Sequence, residues 1–208
     1  MFGIHDFGVF VTACVLLNLT PGPDTFYILG RSLAQGRQAG MASALGIGTG
    51  ALVHTLAAAL GLSALLAASA TAFMAIKFAG AAYLIWLGGK MLFSKRQPAA
   101  LQTGFSSSGF GAAYRQGLLT NVLNPKVALF FLAFMPQFID AGSSDQFAAF
   151  IVLGLTFVTT GTFWCLGLAW FSSLLGQRLR GSSSLGDIVN RAAGALFIGL
   201  GIRLAVSK

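Results

Sequence analysis

The sequence predicts an all-α integral membrane protein of six transmembrane helices, built as two inverted three-helix repeats with helices 1 and 4 broken. The first observation is composition, since 56% of the residues are hydrophobic and 9% are charged, whereas soluble domains carry about 25% charged residues. The second is a pair of runs without Asp, Glu, Lys or Arg, 39 residues at 38–76 and 32 residues at 146–177. Each run exceeds the roughly 20 residues that a spanning helix needs. The third is a proline-containing interruption in both the first and the fourth apolar segment.

This composition argues against a soluble enzyme, a nucleic-acid-binding protein and a disulfide-stapled secreted domain. The formal net charge of +8 is therefore interpreted by the positions of the charges along the chain, and no nucleic-acid partner is expected.

Apolar density and helix breakers divide the chain into six candidate spans. They cover residues 6–30, 39–66, 70–93, 114–139, 147–176 and 186–206. As one helix, the first uncharged run would be about 58 Å long at 1.5 Å per residue, about twice the thickness of a hydrocarbon core. We therefore expect the chain to fold back near residues 68–71, where small and polar residues sit together.

A polar stretch with Lys95, Arg96 and a run of serines separates the third span from the fourth. We predict a first three-helix transmembrane repeat at residues 1–93, a central cytoplasmic linker at 94–113 and a second three-helix repeat at 114–208. Shifting residues 77–90 by 113 positions aligns them with 190–203, with identities that include Ala79, Ile85 and Gly88. Because three helices return the chain on the opposite side of the membrane, the second repeat is predicted to be inverted.

Orientation is predicted from Lys and Arg, which are enriched in cytoplasmic loops. The loops after spans one, three and five contain nine of them, namely Arg31, Arg37, Lys90, Lys95, Arg96, Arg115, Arg178, Arg180 and Arg191. The opposite loops contain none, and one of them carries Asp140 and Asp145. We therefore predict cytoplasmic odd-numbered loops and two periplasmic termini, with Arg31 and Arg37 as anchors at the cytoplasmic interface. The alternative for these two arginines, which flank a glycine-containing loop, is a gate at the cytoplasmic mouth.

Two helix breaks contain the candidate binding residues. Span one holds Asn18, Leu19, Thr20, Pro21, Gly22, Pro23 and Asp24 in succession, and span four holds Asn121, Val122, Leu123, Asn124, Pro125 and Lys126. Proline removes a backbone donor, so neither helix runs through these points unbroken. Broken helices at matching positions of two halves indicate a transporter binding site, because helix N-termini attract anions and freed carbonyls attract cations. We predict that Asn18, Thr20, Pro21, Gly22, Pro23, Asn121, Asn124 and Pro125 help to form this site.

Asp24 and Lys126 are ionisable residues in apolar surroundings, which in a membrane indicates function. Our hypothesis is that the breaks face each other, with Asp24 holding an ammonium group or a proton and Lys126 holding a carboxylate, as recognition of a zwitterion requires. Burial disfavours the charged form of a carboxyl group, which makes Asp24 the candidate for proton coupling. The alternative is that Asp24 caps a half-helix while Lys126 extends to the lipid headgroups.

The second span contains two further features, a glycine pair and a histidine. Gly46 and Gly50 have the spacing of a helix-packing seam. His54 is a candidate proton relay, since imidazole titrates near neutral pH, although a hydrogen-bonded packing histidine is the simpler interpretation.

The sequence contains few of the residues and motifs that alternative functions require. A membrane enzyme is disfavoured by the absence of Glu and of a Gly-x-Ser-x-Gly nucleophile motif, and an ATP-driven pump by the absence of a Walker glycine loop. A cation or metal exporter of similar layout remains the main alternative, although Asp24, His54 and the distant Cys14 and Cys165 offer few ligands. We expect no enzyme activity, no cofactor and no bound metal.

The chain resembles the LysE/RhtB family of amino-acid exporters over nearly its whole length. The motifs that carry the resemblance are Asn18 to Pro23, Gly30-Arg31-Ser32, Gly36 to Gly40, Gly46-Ile47-Gly48-Thr49-Gly50 and Asn124-Pro125-Lys126. The resemblance implies a multi-pass protein of the bacterial inner membrane that exports amino acids or related metabolites with the proton gradient. Its partners would be an amino-acid substrate, protons and the lipid bilayer. The plentiful faces of small residues are compatible with a homodimer but do not require one.

Overall fold

The computed structural model describes residues 2–68, 70–93, 109–140 and 142–172, together with residues 191, 194, 195, 198, 199, 201, 202, 205 and 206. Within these residues the secondary structure is helical, apart from an isolated β-bridge between Ile4 and Ile139. The predicted all-α class is confirmed for this part of the chain. The helices in order are α1 (Phe7–Leu19), α2 (Pro23–Gln35), α3 (Arg37–Ala68), α4 (Ala70–Phe93), α5 (Phe110–Val122), α6 (Pro125–Leu129) and α7 (Gln146–Trp170).

The first break separates α1 from α2 at Thr20, Pro21 and Gly22. The backbone N–H of Thr20 closes α1 by donating to the carbonyls of Leu16 and Leu17. Pro23 is the first residue of α2, where a missing N–H costs no helical hydrogen bond. The segment predicted at 6–30 is therefore two helices, and the second continues to Gln35. It ends at Gly36, whose φ of 89° is a conformation that favours glycine.

The second break separates α5 from α6 at Leu123 and Asn124. The Asn124 side chain caps α6 by accepting a hydrogen bond from the backbone N–H of Lys126 at 3.0 Å, and Pro125 again takes the first helical position. After α6 the chain continues through a π-helical turn, Phe130–Phe134, and a 3₁₀ turn, Met135–Phe138. The segments before and after this break are bent by 46° relative to each other.

Helix α3 is the central element and packs mainly against α5 and α7. Glycines allow the close approach to α5: a Cβ on Gly46 would overlap the carbonyl oxygen of Tyr114, and a Cβ on Gly117 would lie 2.5 Å from the carbonyl oxygen of Ser43. A Cβ on Gly50 would lie 2.8 Å from the Asn121 side chain. The predicted packing seam at Gly46 and Gly50 is confirmed. Along this seam the backbones of α3 and α5 lie in close contact.

Three parts of the described structure qualify as membrane spans by length and hydropathy. Residues Arg37–Leu62 of α3 and the whole of α7 qualify alone, and Phe110–Val122 qualifies together with Pro125–Phe138 as one bent span. Large apolar side chains such as Phe163, 72% exposed, cover the outside of the bundle, as lipid contact requires.

Several predicted boundaries differ from the observed ones by a few residues. Helix α4 has the predicted bounds, and the boundary between α3 and α4 falls inside the predicted bend at 68–71. Helix α5 begins at Phe110, four residues before the predicted start at 114, because Gly111, Ala112 and Ala113 continue the helix from its N-cap at Gly109. Most of the predicted sixth span, 186–206, and of the compared stretch 190–203 lies outside the described residues. The count of six spans and the inversion of the second repeat remain predictions.

Candidate functional site

The two helix breaks lie side by side, and each sends a side chain to the other half of the chain. The amide of Asn121, in the last turn of α5, donates a hydrogen bond from Nδ2 to Oδ2 of Asp24 at 2.8 Å. Asp24 occupies the first turn of α2, where the partial positive charge of the helix N-terminus stabilises a carboxylate. Asn121 is only 2% exposed, so this bond joins the two halves inside the bundle.

Lys126 makes the reciprocal contact with the end of α1. Its Nζ donates to the carbonyl oxygens of Leu17 and Thr20, at 2.8 Å each. The last carbonyls of a helix lack their i+4 partners, and they carry its partial negative charge. A cation at this position is therefore stabilised by two hydrogen bonds and by the helix dipole.

A cavity of about 50 Å³ opens beside these contacts. It is lined by Leu17, Asn18, Thr20, Gly22, Asp24, Thr25, Ile47, Gly48, Ala51, Asn121, Asn124, Lys126, Val127, Phe157, Val158, Gly161, Thr162, Trp164 and Cys165. The polar lining comes mainly from the breaks, and the apolar lining mainly from α3, α6 and α7. The cavity thus presents charged groups on one side and an aliphatic and aromatic surface on the other.

Three buried polar atoms of the lining have no hydrogen-bond partner within the described structure. They are Asp24 Oδ1, Asn121 Oδ1 and the indole Nε1 of Trp164. The two oxygens are acceptors and the indole N–H is a donor. Because a buried polar group without a partner costs about 1–3 kcal/mol, these atoms favour a ligand that has both a donor and an acceptor group.

Seven of the eleven predicted site residues line the cavity, namely Asn18, Thr20, Gly22, Asp24, Asn121, Asn124 and Lys126. Pro21, Pro23 and Pro125 are exposed and shape the breaks without contributing to the lining. Asp24 and Lys126 are both described, and no ion pair within 4.0 Å joins them. Each of the two charges is instead bound to uncharged groups of the opposite break.

His54 lies behind the site and does not line the cavity. Its Nε2 is 3.2 Å from the backbone carbonyl oxygen of Asn121, and its ring stacks on Phe131 with 5.6 Å between the centroids. These contacts fit a histidine that supports Asn121, the residue that bonds to Asp24.

The wall formed by α7 was not predicted from sequence as part of the site. Thr160 accepts a 3.5 Å hydrogen bond from the Asn18 amide, and Gly161 and Thr162 line the cavity with Trp164 and Cys165. The available signal is the run of Thr159, Thr160, Gly161 and Thr162 inside an apolar helix, since hydroxyl and small residues mark helix contacts in membranes.

Arg31 differs from its predicted role as an anchor at the membrane interface. It is 3% exposed, and its guanidinium donates to Gln35 at 2.8 Å, to Gln116 of α5 and to the Tyr27 hydroxyl at 3.2 Å. Tyr27 in turn donates to the carbonyl oxygen of Ala113 at 2.9 Å. We call Arg31, Tyr27 and Gln116 the α2–α5 latch, because they form a second link between the two halves of the chain.

Comparison with known proteins gives a consistent result. A sequence profile of the family described as LysE type translocator matches residues 15–208. A leucine efflux protein of Klebsiella pneumoniae is 30% identical over 204 residues, covering 98% of this chain and 96% of the relative. An uncharacterized membrane protein of Vibrio cholerae is 33% identical over 205 residues, covering 99% and 98%. A leucine efflux protein of an Enterobacter species is 30% identical over 206 residues, covering 98% and 97%. No solved structure matches.

Proposed function

Since the chain belongs to the LysE type translocator family, we propose that it exports an amino acid across the bacterial inner membrane, driven by protons that move inward. The observation that carries this proposal is the cavity between two broken helices, with a carboxylate, an ammonium group and three unpaired polar atoms around it. Two of the relatives are named leucine efflux proteins, which supports an amino-acid substrate.

The polar atoms of the cavity match the two ends of a zwitterion. Asp24 Oδ1 and Asn121 Oδ1 accept hydrogen bonds from the substrate ammonium group, and the Trp164 indole N–H donates to its carboxylate. An ammonium group has three donors, so Lys126 also has one N–H to offer besides the two bonds to carbonyl oxygens. The substrate side chain lies against the apolar wall, which suits an aliphatic amino acid.

The cavity volume implies movement. A cavity of about 150 Å³ in another protein binds benzene, whereas this cavity measures about 50 Å³. An amino acid the size of leucine therefore enters only after the helices separate. In our proposal the two halves of the chain move against each other around the paired breaks, as in alternating access.

Export itself is tested by loading cells with a panel of dipeptides, which are hydrolysed to amino acids inside. Cells that express the protein are expected to release one group of amino acids several-fold faster than cells with an empty vector. Amino acids in the medium are measured over time, and membrane insertion is verified in parallel. Equal release across the panel, with the protein inserted, would refute amino-acid export and favour a different cargo.

The α2–α5 latch is proposed to keep one mouth of the cavity closed. A hydrogen bond to a charged group contributes about 1.5–3 kcal/mol, and 1.4 kcal/mol changes an equilibrium tenfold. Gln116→Ala is therefore expected to raise the open population about tenfold. Cys165 lines the cavity, so its rate of modification by a maleimide, measured in a Cys14→Ala background, should rise by the same factor.

Arg115→Ala is the matched control for this measurement. Arg115 neighbours Gln116 on α5 and is exposed, so its removal tests the loss of a side chain at the same end of the helix. The latch is refuted if the two variants give the same rate of Cys165 modification.

A further inference from the structure

We infer that the broken end of α1 is a binding site for a small monovalent cation, which the ammonium group of Lys126 fills permanently from the other half of the chain. The site is not a binding site for the transported molecule. The inference rests on the contacts of Lys126, and it holds whichever substrate the cavity carries.

The carbonyl oxygens of Leu17 and Thr20 form the site. Both point to one position, where Lys126 Nζ lies 2.8 Å from each oxygen. Thr20 is 5% exposed, and Pro21 cannot supply a backbone N–H to this turn. The Leu17 oxygen also accepts the Thr20 backbone N–H at 3.2 Å, and a carbonyl oxygen can accept a second hydrogen bond. Carbonyls at a helix break, at the negative end of the helix dipole, are the groups that bind coupling cations in transporters with discontinuous helices.

Within the described residues, no carboxylate forms an ion pair with Nζ within 4.0 Å. The titratable groups that interact electrostatically with Lys126 are Asp24 of α2 and Cys165 of α7. His54 of α3 interacts electrostatically with Asp24. Asp24 Oδ2 accepts its hydrogen bond from the Asn121 amide, so the ligands of the ammonium group are the two carbonyl oxygens. A tethered cation therefore takes the place of a free ion, and the protein needs no sodium at this point.

In the variant Lys126→Ala, the cation site at the end of α1 is expected to be empty. The purified variant is expected to unfold at a lower temperature than the wild type, and methylammonium is expected to raise its Tm. With the cation at about ten times its Kd, the rise should be about 3 °C for a chain of this length. Sodium and potassium are tested alongside, with choline as the control for ionic strength, since it is bulky and has no N–H donor.

Two variants serve as controls. Lys126→Met removes the charge but fills the space, so it should lose stability without responding to any cation. Lys90→Ala removes an exposed lysine that lies over Trp86, and it should behave as the wild type. Equal Tm shifts in Lys126→Ala and Lys90→Ala, for methylammonium, sodium and potassium alike, would overturn the inference.

A measurement on the wild type keeps the inference testable if Lys126→Ala does not fold. The Tm of the wild type should be the same in sodium, potassium and choline chloride, because the site is already filled. A sodium-specific rise in its Tm would contradict a resident ammonium group. These readouts use protein stability alone, so failure of the export assay leaves them intact, and their failure leaves amino-acid export open.

Discussion

Asp24→Asn is expected to abolish proton-driven export while leaving the protein folded and inserted in the membrane. The side chains have nearly equal volumes, and an asparagine oxygen can accept the hydrogen bond that Asn121 now donates to Asp24 Oδ2 at 2.8 Å. What the variant loses is the carboxyl group, which we propose as the group that takes up a proton. A hydrogen bond to a charged group contributes about 1.5–3 kcal/mol, so substrate affinity should fall about 10- to 100-fold.

The measurement that separates binding from coupling uses proteoliposomes. Export driven by a pH gradient should fall to the level of empty liposomes in Asp24→Asn, even at substrate concentrations that compensate for the weaker binding. Exchange of labelled for unlabelled substrate requires no net proton movement, so it should persist at high substrate concentration. Asp140→Asn is the control, because the Asp140 side chain is 64% exposed in a loop and its replacement should leave driven export unchanged. Driven export by Asp24→Asn at the wild-type rate would remove Asp24 from the coupling mechanism.

Gly46→Ala is expected to cause the largest loss of stability among single methyl additions in α3. The new Cβ would overlap the carbonyl oxygen of Tyr114, and a backbone atom in the middle of a helix cannot move aside as a flexible side chain does. Over-packing of this kind typically costs about 1–3 kcal/mol, and more where the neighbour is rigid. Because Asn121 lies on the same helix α5, displacement of α5 should also weaken the contact with Asp24.

Gly61→Ala is the matched substitution, since it lies in the same helix and a Cβ there meets nothing within 4 Å. Both variants gain the roughly 1 kcal/mol of helix propensity that alanine has over glycine, so their difference isolates the clash. Thermal unfolding in detergent should place the Tm of Gly46→Ala about 5 °C or more below that of Gly61→Ala. Equal Tm values would mean that α3 and α5 are further apart than the structure has them.

The positions of the breaks could be predicted from sequence because they depend on local chemistry. Pro21 and Pro23 lack the N–H that a continuous helix requires, and Asn124 before Pro125 has the side chain of an N-cap. The structure ends and begins helices at these residues. Local rules also identified Asp24 and Lys126 as unusual, since charges in apolar segments are rare.

The partners of these residues could not be predicted in the same way. Lys126 is hydrogen-bonded to carbonyl oxygens 106 and 109 positions away. Every residue has a backbone carbonyl, so the sequence does not show which of them accept these bonds. The position of Arg31 between two spans predicts an anchor at the membrane interface, yet its side chain is buried and bonded to Tyr27 and Gln116. The wall from α7 that carries Trp164 reads in the sequence as one more apolar helix.

The helical class, the membrane environment, the two proline breaks and the small residues through which α3 packs could all be predicted from the sequence alone. The contacts between distant residues are visible only in the folded chain: Asn121 with Asp24, Lys126 with the end of α1, and Arg31 with α5. The physical reason is that breaks, caps and apolar runs arise from interactions between residues close in the chain. The face that each helix turns inward depends instead on packing between helices, and when nearly every face is apolar the hydrophobic pattern does not reveal it.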